Sequence, residues 1–220
     1  MAYKRSPLME ERLAANRQRI LQAARQLVAA GGLREAQISA VAAEAGLSTG
    51  AIYRYFPSKA ELFVDVLNEA VRQEIEILDV ILAGPGSAAE HLAQCVESFV
   101  SRALRGPNLA YAFIAEPAEP EVDAARIRCR MMFGDVFKRV LQDGIERGEF
   151  PPQNVDASAA CIVGAYTEAL VGPIAPATRS VRSQDRLIES VRDFCLRAVG
   201  ATAVPPAKPP ARPRRRARTA

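Results

Sequence analysis

The chain of 220 residues has a single histidine, His91, and only four cysteines, Cys95, Cys129, Cys161 and Cys195. One histidine removes most metal triads and ordinary acid–base dyads from consideration. The cysteines stand far apart and follow no metal-ligand spacing. Three of them fall within apolar helical patterns, so they read as reduced core residues of a cytoplasmic protein. The glycines fall at turns rather than in a phosphate-cradling loop. No segment alternates with period two, which removes the strand signal and leaves an all-α architecture. This inventory gives no enzyme chemistry, no metal site and no cofactor. The opening segment MAYKRSPLMEER contains Lys4 and Arg5 but no apolar stretch, so it reads as neither a signal peptide nor a membrane anchor.

Charge is segregated along the chain. Residues 1–60 carry nine basic and four acidic side chains, residues 61–204 carry fourteen and twenty-one, and residues 205–220 carry six and none. A basic N-terminal segment suits nucleic acid, and an acidic middle does not. The terminal segment VPPAKPPARPRRRARTA is Pro-rich and basic with nothing to bury, so it is expected to be a disordered tail able to hold DNA non-specifically.

The most informative stretch is QISAVAAEAGLSTGAIYRYFPSKAEL, residues 37–62. Ile38, Val41, Ala42 and Ala45 share one helical face, and Gly46 stands where a left-handed residue ends a helix. Leu47 plugs the turn. Ser48 is expected to cap a short helix from Thr49 to Tyr55, packed through Ile52 and Phe56. Pro57 stops it, and Ser58-Lys59-Ala60-Glu61 has the pattern of a capping box that starts the next helix. Ahead of this stretch, Ile20, Ala23, Ala24, Leu27 and Val28 form one face of an amphipathic helix over 12–30, ended by Gly31-Gly32. Two short helices around a tight turn, walled by a third, make a DNA-reading helix-turn-helix.

At these residues the chain resembles a known family. AGLSTGAIYRYFPSKAEL is similar to the DNA-binding signature of the tetracycline-repressor-like (TetR) family of bacterial regulators. The resemblance implies that Thr49, Gly50 and Ala51 face bases, that Tyr53, Tyr55 and Lys59 touch phosphates, and that Arg54 lies near the groove. Ser39 and Ser48 complete the expected DNA-contacting set. The chain departs from the usual pattern in opening the first helix of the pair with Gln37 rather than Thr or Ser.

Beyond the motif the sequence reads as helices over 61–82, 87–104, 108–115 and 121–147, broken by Gly84-Pro85-Gly86, Gly106-Pro107 and Glu116-Pro117. Asp156 is placed to cap the next helix, which is apolar or small nearly all round and so needs cover on every side. A last helix over 183–199 carries Leu187, Ile188, Val191, Phe194, Cys195 and Ala198 on a wide stripe. The resemblance implies a domain organisation of 1–60 for DNA reading, 61–204 for ligand binding and dimerisation, and 205–220 as the tail. It also implies a homodimer through 156–171 and 183–199, placing two reading heads on a palindromic double-stranded operator. A cavity between the middle helices would bind an unknown small-molecule effector, with Phe99, Tyr111, Phe113, Met131, Phe133 and Tyr166 as lining and Arg102, Arg130 and Glu168 as polar anchors. The resulting expectation is a cytoplasmic, nucleoid-associated transcriptional regulator: a repressor released from its operator by the effector. An effector-independent DNA-binding or architectural protein is the alternative.

Overall fold

The computed structural model describes residues 7–179 and 184–201. The basic tail over 205–220, Lys4, Arg5 and Ser183 lie outside the described residues. Among those described, the elements run α1 (Pro7–Gly31), α2 (Ile38–Glu44), α3 (Thr49–Ile52), α4 (Lys59–Leu82), α5 (Ala88–Arg105), α6 (Pro107–Ile114), α7 (Pro120–Glu146), α8 (Val155–Ile174) and α9 (Gln184–Ala198), with no strand among them.

Local chemistry sets most of the boundaries. Gly46 takes φ +64° and returns the Leu47 N–H to the Ala42 carbonyl at 2.9 Å, which ends α2. Ser48 accepts the Ala51 N–H at 3.2 Å and Ser58 accepts the Glu61 N–H at 3.0 Å, starting α3 and α4. The complete capping box is at Ser87, where the Glu90 carboxylate also accepts the Ser87 N–H at 2.9 Å. At Ser58 only the serine half forms. The helix after the turn is shorter than expected. Regular α-helix stops at Ile52, and the N–H groups of Arg54 and Tyr55 bond three residues back, because Phe56 precedes Pro57 and the chain must leave the helical region there. Asp156 does not cap α8. Asn154 does, accepting the Ala157 N–H at 3.0 Å, while Asp156 pairs with Lys138 at 2.7 Å.

Two apolar cores result. The first gathers Ile20, Ala24 and Val28 of α1, Val41 of α2, Ile52 and Phe56 around α3, and Leu62, Phe63 and Val66 of α4. Residue 60, the expected boundary of the DNA-reading domain, therefore sits in the first turn of α4, and the head core continues past it. The second core packs α5 on α9, α7 on α8, and α4 on α7 around Leu92, Val96, Phe137, Leu141 and Tyr166. Ala112 of α6 and Val122 of α7 reach down into the first core, so body and head share an apolar seam. His91 is buried and bonds the Gly84 carbonyl at 3.1 Å through Nε2, fixing the loop before α5.

α8 is long and apolar enough to cross a membrane by length and composition. In this fold one of its faces, Ala159, Ile162, Val163, Tyr166 and Leu170, packs on the body. The opposite face is exposed: Ala157, Ala160, Cys161, Gly164, Glu168 and Gly172. The expectation of cover on every side is thus met on one side only within a single chain.

Gly144 shows how tightly α7 is seated. A methyl added there would overlap the Phe150 ring and lie 3.0 Å from Ala88 Cβ, whereas a methyl at Gly134 meets nothing within 4 Å. Gly144→Ala is expected to cost about 1–3 kcal/mol in urea unfolding. Gly134→Ala is expected to be neutral or stabilising by up to about 1 kcal/mol. Equal effects would contradict this packing.

Candidate nucleic-acid interface and ligand cavity

The head presents one open face built from α2, the turn, α3 and the start of α4. Ser39, Ser48, Thr49, Gly50, Tyr53 and Arg54 are exposed, while Ala51, Tyr55 and Lys59 are half-buried. The two tyrosines divide their tasks. Tyr53 stands 49% exposed, whereas Tyr55 lies against the head core and its hydroxyl accepts the Asn16 Nδ2–H at 3.0 Å. The Ser48 hydroxyl oxygen is occupied as a cap, which leaves its O–H free to donate outward. A methyl at Gly50 would meet nothing within 4 Å, so the fold itself does not require a small residue there.

Lys59 opens α4, where the helix dipole is already positive. Its Nζ lies 5.3 Å over the Phe63 ring and 3.4 Å from Gln37 Oε1, with no carboxylate partner among the described residues. A cation at a helix N-terminus without a counter-ion is a site for an anion such as phosphate. Gln37 itself makes no side-chain cap for α2 and instead donates to the Arg34 carbonyl at 2.8 Å. The frame behind this face is polar and firm. Arg17 pairs with Asp65 and lies 5.0 Å over the Phe56 ring, and Arg19 holds the Ala45 carbonyl at the end of α2.

In the body, a cavity of about 150 Å³ opens between α4, α5, α6 and α7. Five of the residues expected from the sequence stand on its wall: Phe99, Arg102, Phe113, Arg130 and Phe133. Four do not. Met131 is 66% exposed, because α7 turns Cys129 and Phe133 inward and carries the intervening Met131 out. Glu168 sits on the open face of α8, and Tyr111 points off the wall. Tyr166 is fully buried behind Phe99, ring centroids 4.5 Å apart, and burial holds its phenol well above the ordinary range. Sequence reasoning missed Arg25, Glu74, Leu109, Ile114, Arg126 and Cys129. Leu109 and Ile114 belong to the short helix expected over 108–115. Arg25 has no sequence signal, since nothing local says that α1 reaches this cavity.

Against known proteins, the family model described as bacterial regulatory proteins, tetR family, matches residues 20–66, the head with its entry into α4. The fatty acid metabolism regulator protein of Bacillus subtilis is 26% identical over 132 residues, spanning 59% of this chain and 68% of that protein. The HTH-type transcriptional repressor KstR of Mycolicibacterium smegmatis is 32% identical over 146 residues, spanning 63% of this chain and 69% of KstR. This chain belongs to the tetR family of bacterial regulatory proteins. Solved structures share the fold over most of the chain. The structure of FadR from Bacillus subtilis in complex with stearoyl-CoA superposes with a TM-score of 0.71 at 22% identity, covering 83% of this chain and 98% of that one. RolR in complex with resorcinol gives 0.69 at 24%, covering 88% and 92%. The protein is a DNA-binding transcriptional regulator, and regulators of this family bind operators as dimers and bind small-molecule effectors.

In this TetR-family chain the cavity and the reading head are joined by a polar grip on the C-terminal end of α1. The Glu116 carboxylate, buried, accepts the Leu33 N–H at 2.9 Å, and Asn108 Nδ2 donates to the Ala29 and Ala30 carbonyls at 3.1 and 2.7 Å. Gly32, at φ +83°, is required there, since a methyl would lie 2.7 Å from the same carboxylate. Arg126, on the cavity wall, holds the Ala112 carbonyl and the Glu116 carbonyl, the latter at 2.6 Å. Glu116→Ala strands the buried Leu33 N–H and is expected to lower stability by about 1–3 kcal/mol in urea unfolding, with Glu116→Gln retaining most of it. No loss in the alanine variant would remove this bond from the account.

Proposed function

We propose that the protein is a repressor whose operator affinity falls when a largely apolar effector fills the cavity between α4, α5, α6 and α7. The observation that carries this reading is that the cavity wall includes α6, whose Asn108 grips the end of α1, and Arg126, which holds the carbonyl of the Glu116 that bonds Leu33. An occupant that fits one arrangement of that wall better than another shifts the population of head positions by its differential affinity. Repression follows from occupying a promoter-overlapping palindrome. Similar proteins include a fatty acid metabolism regulator and a structure holding stearoyl-CoA; with the apolar wall here they support an acyl-chain compound as effector.

The head, residues 1–60, reads DNA through Thr49, Gly50 and Ala51 on bases and through Ser39, Ser48, Tyr53, Arg54, Tyr55 and Lys59 on or near the backbone. The body, 61–204, holds the effector and the dimer contact, made by 156–171 and 183–199. Support for that contact is the uncovered small-residue face of α8 beside Phe194 of α9, which is 53% exposed. The protein acts in the cytoplasm, on the nucleoid when DNA-bound.

Selecting bound sequences from a random duplex library tests the reading. A palindromic consensus bound by a dimer is expected, and tight binding without a consensus would favour the effector-independent architectural alternative. Against that operator, Lys59→Ala is expected to weaken specific and random DNA alike. Changes at Thr49 should shift base preference by about 1–3 kcal/mol per disturbed contact. Gly50→Leu should leave melting unchanged and abolish binding; retained binding would place the groove elsewhere.

The dimer makes its own prediction through the thiols. Burial pushes the Cys95 thiol up to about 12 and the Cys195 thiol up to about 11, and it raises Cys129. Only Cys161 is exposed in the single chain, and it lies on the proposed contact. Ellman's reagent should therefore find no fast thiol in the dimer and one in a Gly164→Arg variant, which sedimentation should show as a monomer. A dimeric Gly164→Arg protein would rule out this face.

A further inference from the structure

Five charged side chains line the cavity, and three of them are already neutralised or committed. Glu74 pairs with Arg102 at 2.6 Å, and Arg126 pairs with Asp123 at 2.6 Å while holding two carbonyls. The other two, Arg25 and Arg130, have no carboxylate partner among the described residues. Arg25 rests on the side-chain oxygen of Gln73, a neutral acceptor, and Arg130 is exposed. Guanidinium groups without counter-ions beside an apolar wall complement a carboxylate or phosphate carried on an apolar chain.

Arg25 has a second property. It is the one cavity-lining residue contributed by α1, α2 or α3. Its neighbour Ala24 is fully buried in the head core, so whatever draws Arg25 draws the helix on which α2 and α3 are mounted. In this structure Arg25 is tied to α4, because Gln73 that receives it is itself anchored to Glu69 at 3.0 Å.

We propose that Arg25 is the effector-sensing residue: an anionic head group on the effector takes its guanidinium from Gln73 and so moves α1 relative to α4. This rests on the reading of the cavity as the effector site. The exchange is favourable because an ionised acceptor bonds a guanidinium more strongly than an amide oxygen does. The apolar chain supplies affinity through Leu67, Val71, Phe99, Phe113 and Phe133, and the anion supplies the difference between the two head positions. Arg130 takes part in holding the anion but belongs to α7, so it contributes binding without direct pull on the head.

The test uses the full chain, its selected operator, and three probes of one chain length: dodecanoate, dodecanoyl-CoA and uncharged dodecanol. Operator release is followed by fluorescence anisotropy and probe binding by calorimetry, for the wild type, Arg25→Met and Arg25→Lys, each first shown to melt as a folded protein. At least one anionic probe is expected to release the operator, at a concentration about ten-fold below any effect of dodecanol. Release by dodecanoate assigns a carboxylate head, and release by the thioester alone assigns the phosphates. Arg25→Met should need about ten-fold more anionic probe for release, with dodecanol unaffected, and Arg25→Lys should recover part of the response. If the anions bind and release the operator equally well from Arg25→Met, or if dodecanol releases the operator from the wild type as well as the more effective anionic probe does, the sensing role is overturned and the cavity reading survives. If no probe binds the wild type, the cavity reading falls and this proposal falls with it.

Discussion

The buried Glu116 carboxylate on the Leu33 N–H holds the DNA-reading head to the body. It meets α1 just past its C-terminal end, where the last backbone groups of a helix lack partners of their own, and Asn108 takes two of the carbonyls from the other side. α1 in turn walls the helix-turn-helix, so the orientation of the reading face is set by how the α6–α7 corner sits. The two helices that meet at that corner, α6 and α7, also wall the cavity. A net difference of a few kcal/mol between two settings of the corner is enough to move the head population from one extreme to the other.

The division of labour along the chain follows from charge and burial. The head is basic and offers Lys59 and Arg54 with no carboxylate partner among the described residues, while the body is acidic and pairs several of its arginines, such as Arg102 with Glu74 and Arg192 with Glu97. DNA is thereby drawn to one end only. Beside the cavity, Arg25 and Arg130 have no carboxylate partner among the described residues, and there the anion is proposed to bind. The outer face of α8 is exceptional in the opposite sense: it is apolar, small and uncovered, as a surface awaiting a second copy would be.

What the sequence disclosed is what short-range chemistry decides. Gly46, Ser48 and Ser58 act within three or four residues of themselves, so the caps of the helix-turn-helix were legible, as were most helix limits to within a residue or two, while the end of α3 was not. Where two caps competed, at Asn154 and Asp156, pattern reading chose the wrong one, because Lys138 from a distant helix claims Asp156. The cavity was half legible. Aromatic residues marked the right helices, but the rotation of a helix by one residue decides whether Arg130 or Met131 borders the cavity, and only the packed structure fixes it. Arg25, Asn108 and Glu116 were invisible, since their partners lie 48 or more positions away in the chain.

The central claim is that cavity and reading head are energetically coupled, and coupling is reciprocal: an effector that weakens the operator complex must itself bind more weakly to the operator-bound protein, by the same factor. Calorimetric titration of dodecanoyl-CoA into the free protein and into its operator complex measures this without any mutation. The account predicts weaker binding to the complex, with the ratio equal to the loss of operator affinity caused by the same probe. Equal affinities for the free and DNA-bound protein would contradict it.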